Sequence, residues 1–420
     1  MSFSASPLWH PWSPMDEPGF RPTFVRGEGY RVVDDTGRRY LDASSAALNA
    51  HCGHGSTRLA DAAADQLRAI AHFDLGVAAH PPARRLAAAL ADLLPGDGPW
   101  WTSLVNSGSE ATELAVRIAL DHAANHGEER RQIVSLAAGY HGTTLLAKSL
   151  TRLPGNEAPA AIGLPVRHIP LPSAARDLRM GDPATLLGGF EAALRAAPTA
   201  AVVVEPLLNV GGGVVLPDGF LTGLRALCDR YGALLVLDEV FCGFGRTGRM
   251  FGFEHEGITP DIVTYSKGLS SGYIPIGGVS CRPFVHDGYL APGGAGILRH
   301  GHTTGGHAAA CRVALEVLDV IREDDLCGNA AHRGGELLAG LEKALGHEHV
   351  ADVRGRGLVA AVEFADDDTA GRALDAVRDR GVLLRRQGRH LMAVPPLIID
   401  EEGVAEIVAA TLEAVAAARA

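Results

Sequence analysis

The sequence predicts an α/β protein: a large unit with a mostly parallel central sheet covered by helices, plus a smaller α+β unit. Three observations carry this. Short apolar runs alternate with helical stretches between about residues 101 and 310. Several of those runs lack polar alternation, as strands covered on both faces do. Past about 310–330 the pattern changes to helix, strand, helix, two strands and a closing helix. At 420 residues, 47% hydrophobic and 21% charged, the chain can bury a large core and form two or more domains.

In order, "YRVVDDTGRRYLDA" reads as strand, turn, strand. Residues 57–94 are alanine-rich and helical. The strands that follow are "WTSLVNSG", "QIVSLAA", "AAVVVEPL", "GALLVLDEV" and "DIVTYSK". Helices fit between them, for instance "EATELAVRIALDHAA" and "GFLTGLRALCDRYG". A helix is expected at about 311–345, then "ADVRGRGLVAAVEF", another helix, "GVLLRRQGRHLMAVPP" as two strands, and a last helix after Asp400.

The net charge of −11, with no lysine or arginine run, argues against a nucleic-acid or anionic-membrane partner. No stretch reaches eighteen apolar residues, and the start "MSFSASPLWHPWSP" lacks the marks of a signal peptide. The six cysteines are scattered without a C-x-x-C pair, so a reducing, cytoplasmic setting is expected.

The chemistry gathers at strand ends. "LLVLDEV" ends in Asp238 and Glu239, and Lys267 ends the next apolar run. A carboxylate and an amine at the carboxyl edge of an α/β sheet form either a ligand site or a plain salt bridge. "NSGSEATELAVRIA" opens a helix with free N–H groups at Gly108, Ser109 and Glu110, which suits an anion such as phosphate, or an ordinary cap. In "GYHG", Tyr140 and His141 sit in a glycine-flanked turn, where the aromatic either packs or lies flat on a planar ring. "GHTTGG" offers hydroxyls, Thr303 among them, for phosphate or for a turn.

Two other patterns are set aside. "GFGRTG" at 243–248 matches a dinucleotide loop, but Asp238 and Glu239 precede it and no amphipathic helix follows. "HCGH" at 51–54 lacks a second cluster at zinc spacing, so no metal is expected.

The ordered set of glycine-serine loop, Y-H-G, E-P, D-E-V, G-F-G-R-T-G, S-K-G and H-T-T-G-G-H resembles the class III pyridoxal-phosphate (PLP) aminotransferases. The resemblance runs from "HPW" to "PPLIID". It implies fold type I, with an N-terminal segment 1–55 joining the small domain, a PLP-binding domain 56–315 and a C-terminal domain 316–420. It implies that Lys267 forms the Schiff base and that Asp238 pairs with the pyridine nitrogen. Val240 and Tyr140 would sandwich the ring, with His141 beside it, and Gly108 and Ser109 would hold the phosphate. Thr303 would join them from the other subunit of a homodimer. Glu205 would be the active-site glutamate. Arg385 would take the substrate carboxylate, or Arg386 if the strand register is shifted by one. The implied partners are a small-molecule amine and a 2-oxo acid.

The segment "TYSKGLSSGYIPIGG", 264–278, fits that role: burial with no carboxylate close in sequence lowers a lysine's pKa, as a nucleophilic amine requires. Where many relatives carry a bulky aromatic lining the pocket, this chain has Ala46, Ala47 and Leu48, and Leu208 stands where many have glutamine. A substrate bulkier than a simple ω-amino acid is expected. Aminomutase, racemase or decarboxylase chemistry on the same scaffold, a nicotinamide oxidoreductase and a non-catalytic scaffold are the alternatives.

Overall fold

The apolar runs assemble into one seven-stranded sheet. Its order is Trp101–Val105, Gly277–Cys281, Ile262–Tyr265, Leu234–Asp238, Thr199–Val204, Gln132–Leu136 and Val166–Ile169. The last five are parallel to one another, whereas Gly277–Cys281 runs antiparallel to both of its neighbours. Thr199–Val204, Leu234–Asp238 and Ile262–Tyr265 are buried at every position, which is why none of them alternates. The computed structural model describes residues 8–12, 20–96, 98–153, 164–172 and 174–418.

Two of these strands are not among the sequence expectations. Val166–Ile169 is an edge strand with Arg167 exposed, so its apolar signal is diluted. Gly277–Cys281 begins with two glycines, which read as loop. Gly277 is needed there: a Cβ would come within 2.5 Å of the Ser107 carbonyl oxygen, at the start of helix Gly108–Asn125.

The 57–94 region is two helices, Thr57–Ala69 and Pro81–Asp92, the second started by Pro81 with His80 as N-cap. The helix expected at 311–345 is likewise broken. Ala308–Glu323 ends before Asp325, whose φ of 44° turns the chain and whose carboxylate caps Leu326–Leu341.

At the C-terminal end Val350–Gly355, Ala360–Phe364, His390–Ala393 and Arg385–Gln387 form an antiparallel sheet in that order. Val382–Leu383 leaves this group. It pairs in parallel with Arg39–Asp42, at the edge of the N-terminal sheet that also contains Phe24–Glu28 and Arg31–Asp34. Among the described residues, no helix is long and apolar enough to cross a membrane.

Candidate active site

Parallel pairing places Asp238 opposite Thr264, so the chain leaving each strand emerges at the same carboxyl edge of the sheet. There a cavity of about 150 Å³ is lined by Gly108, Ser109, Tyr140, His141, Glu205, Asp238, Val240 and Lys267. Ser107, Gly142, Phe241 and Ser266 complete its wall, none of them singled out in the sequence as site residues. Phe241 lies under the amine, with Lys267 Nζ 5.3 Å from its ring centre. Nothing in "DEVFCG" separates that phenylalanine from an ordinary core residue.

Asp238 is 3% exposed, so its orientation depends on hydrogen bonds. Its Oδ1 accepts from Val240 N–H and Thr264 Oγ1–H, both at 3.1 Å, and Oδ2 accepts from His141 Nδ1–H at 2.8 Å. The other His141 nitrogen, Nε2, lies 3.2 Å from Ser135 Oγ. Burial alone would lower the His141 pKa, but its hydrogen bond to Asp238 and that carboxylate's charge outweigh the effect and raise it.

Glu205 is tied down by Tyr140 N–H at 2.9 Å and Asn209 N–H at 3.3 Å. Burial pushes its carboxyl up to about 7, and the field of His141 opposes that rise. Lys267 sits at φ 40°, in the left-handed region. Burial lowers its amine below the ordinary value, opposed by Glu205 and Asp238. Two carboxylates thus share the cavity, although no carboxylate stands near Lys267 in sequence. The ion pair that Asp238 makes among the described residues is with His141, not with Lys267.

The D-E pair divides its work. Glu239 faces away and accepts from Gly252 N–H at 2.9 Å and Phe253 N–H at 3.0 Å, and burial pushes its carboxyl up to about 8. A raised folded-state pKa means that the native state holds the proton more tightly than the unfolded chain. That contribution therefore falls as pH rises from the ordinary 4.5 through about 8, and is flat above. Glu239→Gln removes it. The stability of the variant relative to wild type should rise across that window in urea melts, and parallel profiles would contradict this.

Helix Gly108–Asn125 opens on the cavity. Ser107 is its cap, accepting from Glu110 N–H, so the N–H groups of Gly108 and Ser109 have no partner within the helix. Gly108 is tightly placed, since a Cβ would meet Val240 Cγ1 at 2.7 Å.

Other expected residues lie apart. Leu48 does not line the cavity; it is 2% exposed in an apolar cluster with Phe241 and Met392. Ala46 borders a separate hollow with Ser271 and Tyr273. Thr303 lines a different cavity, of about 870 Å³, where its carbonyl accepts from His72 Nε2–H at 2.7 Å. Of the two arginines, Arg386 is exposed and donates to the Gly388 and Asp367 carbonyls. Arg385 is half-buried, and its charge is felt by both Tyr140 and Lys267. Trp12 packs edge-on to Tyr140, with ring centres 6.5 Å apart, which sequence reasoning missed.

A family model described as aminotransferase class-III matches residues 15–415. The chain is a class-III aminotransferase. It is 33% identical over 429 residues to an adenosylmethionine-8-amino-7-oxononanoate aminotransferase of Geobacter sulfurreducens, covering 94% of this chain and 93% of that one. An omega transaminase from Pseudomonas jessenii in complex with PMP superposes with a TM-score of 0.91 at 32% identity, covering 98% and 96% of the two chains. A thermostable omega transaminase with tryptophan replaced by glycine, engineered for the synthesis of enantiopure bulky amines, gives 0.91 at 31%, covering 98% and 97%. Like its class, this aminotransferase is a fold type I enzyme that uses pyridoxal 5′-phosphate to transfer amino groups. The cavity fits that group: it combines an amine of lowered pKa, a fixed carboxylate and two free N–H groups at a helix start.

Proposed function

We propose that this class-III aminotransferase moves an amino group from an amine bulkier than β-alanine, of the kind found among biosynthetic intermediates, to a 2-oxo acid. The observation that carries the reading is the meeting of Lys267, Asp238 and Glu205 in one cavity with the Gly108–Ser109 helix start. The bound cofactor supplies an aldehyde for the amino group and a ring that takes up electrons. Lys267 would hold that aldehyde through its amine and, when a substrate amine takes its place, would carry a proton to and from the substrate carbon. Asp238, held by His141, would keep a proton on the ring nitrogen. Tyr140 and Val240 would flank the ring, Gly108 and Ser109 would hold the phosphate, and Glu205 would present a carboxyl poised near neutrality to the substrate side.

Arg385 takes the substrate carboxylate; supporting this are its half-buried position and the turn of Arg386 toward backbone carbonyls. A wide pocket is supported by the bulky-amine purpose of the engineered relative, in which a tryptophan is replaced by glycine; Ala46 gives it no support, because it borders a separate hollow. A homodimer is part of the same reading, because Thr303 faces a second cavity that another copy would close over. Segments 1–55 and 316–420 act as one small unit on the 56–315 body, supported by the pairing of Arg39–Asp42 with Val382–Leu383. Free thiols at all described cysteines support a reducing cytoplasm.

A panel of amines against pyruvate and 2-oxoglutarate, followed by the pyridoxal-to-pyridoxamine spectral change, tests this. Turnover is expected with bulky amines, and turnover confined to β-alanine-sized ones would overturn the substrate reading.

A further inference from the structure

The "GFGRTG" loop holds Arg246, which with Arg354 is one of the two largest fully buried side chains described, at 0% exposure. Burial lowers the pKa of this guanidinium to about 9. No carboxylate lies in ion-pair contact with it among the described residues; oxygens of neutral groups accept from its two Nη atoms, while Nε has no hydrogen-bond partner. Nη1 donates to the Pro395 carbonyl at 2.6 Å and the Leu358 carbonyl at 3.1 Å, and Nη2 donates to Ser45 Oγ at 3.3 Å. Ser45 Oγ in turn donates to the Val394 carbonyl at 2.6 Å. The contact is reciprocated through the backbone, where Leu358 N–H donates to the Arg246 carbonyl at 3.1 Å. Gly357 permits this approach, since a Cβ there would lie 2.6 Å from that carbonyl oxygen.

These acceptors mark the ends of two neighbouring strands. Leu358 precedes Ala360–Phe364, and Pro395 follows His390–Ala393. His390–Ala393 pairs with Arg385–Gln387, Met392 lying opposite Arg385. Arg246 therefore grips the sheet that carries Arg385. On its other side Nη2 lies 3.5 Å from Nδ1 of His51, which is 0% exposed and kept neutral by burial and by the Arg246 charge. The His51 ring rests on the lysine turn: a Cβ on Gly268 would come 2.5 Å from His51 Nε2, an atom with no hydrogen-bond partner. One side chain thus touches both the support of Arg385 and the support of Lys267.

We propose that Arg246 is a positioning residue, a spacer that fixes the separation of Arg385 from Lys267 and so tunes the enzyme toward carboxylate-bearing substrates; this rests on the Arg385 reading above. A lysine in its place offers one point of attachment rather than a fork, so the C-terminal sheet and the lysine turn lose their common reference. An amine without a carboxylate does not use that separation.

The test compares two half-reactions of the holoenzyme by absorbance: one with an ω-amino acid, one with a primary amine lacking a carboxylate. Arg246→Lys should raise the apparent dissociation constant for the ω-amino acid roughly tenfold or more relative to the carboxylate-free amine, with cofactor content and circular dichroism intact. Ser45→Ala should shift the same ratio in the same direction by a smaller factor, and it decides alone if Arg246→Lys does not fold. An unchanged ratio in whichever variant folds overturns the proposal. Arg385→Ala is the control. If it leaves the ratio unchanged, the Arg385 reading has failed; if it shifts the ratio while the Arg246 and Ser45 variants do not, the spacer has failed.

Discussion

Lys267→Ala should lower turnover by at least about 10⁴-fold with every amine, because in the proposed mechanism one atom would serve as both nucleophile and proton carrier. The surroundings of Lys267 suit both roles. Burial lowers its pKa, and although Glu205 and Asp238 resist that shift, it remains lowered. With its amine deleted, the cavity keeps Asp238, His141 and the helix start, so pyridoxal phosphate should still bind, but without a covalent tether. Borohydride followed by peptide mass spectrometry should fix the cofactor at residue 267 in wild type and nowhere in the variant. Activity within a factor of ten of wild type would remove Lys267 from the mechanism.

Asp238→Asn should cost about 10²- to 10³-fold in turnover, the scale of losing one preorganised charge at a reacting centre. Asparagine keeps an oxygen for Val240 N–H and Thr264 Oγ1–H, so the fold should survive. What disappears is the negative charge that raises the His141 pKa and that, in the proposed mechanism, would face the ring nitrogen. The variant should also hold the cofactor less tightly, measurable by dialysis and absorbance. A fall in turnover fully restored by excess cofactor would assign Asp238 to binding alone.

The strand ends were legible because residues 234–237 are uniformly apolar up to Asp238, and because the short run 262–265 before Lys267 shows no polar alternation, as strands covered on both faces do. The Gly108–Ser109 helix start was legible from its cap chemistry. Tyr140 gave only the ambiguous signal of an aromatic in a glycine-flanked turn; Glu205 and Val240 had no local signal and were selected by the resemblance alone, and the fold brings all three to the cavity. Phe241, Trp12 and Arg246 were not legible, since their partners are far away in sequence and their types occur in any core or surface. For Arg246, the resemblance to a nucleotide loop led away from a tertiary contact. Gly277–Cys281 and the break at Asp325 were hidden for a related reason. Glycines and a cap are punctuation whose meaning depends on what packs against them.

The pairing of Arg39–Asp42 with Val382–Leu383 has a cost during synthesis. The strands at 24–42 are made long before Val382–Leu383, so one flank of their sheet has no partner until residue 382 has emerged. Such distant closure slows folding and leaves an open strand edge that other chains can capture meanwhile. Nascent chains halted before residue 382 should therefore need chaperone protection to stay dispersed.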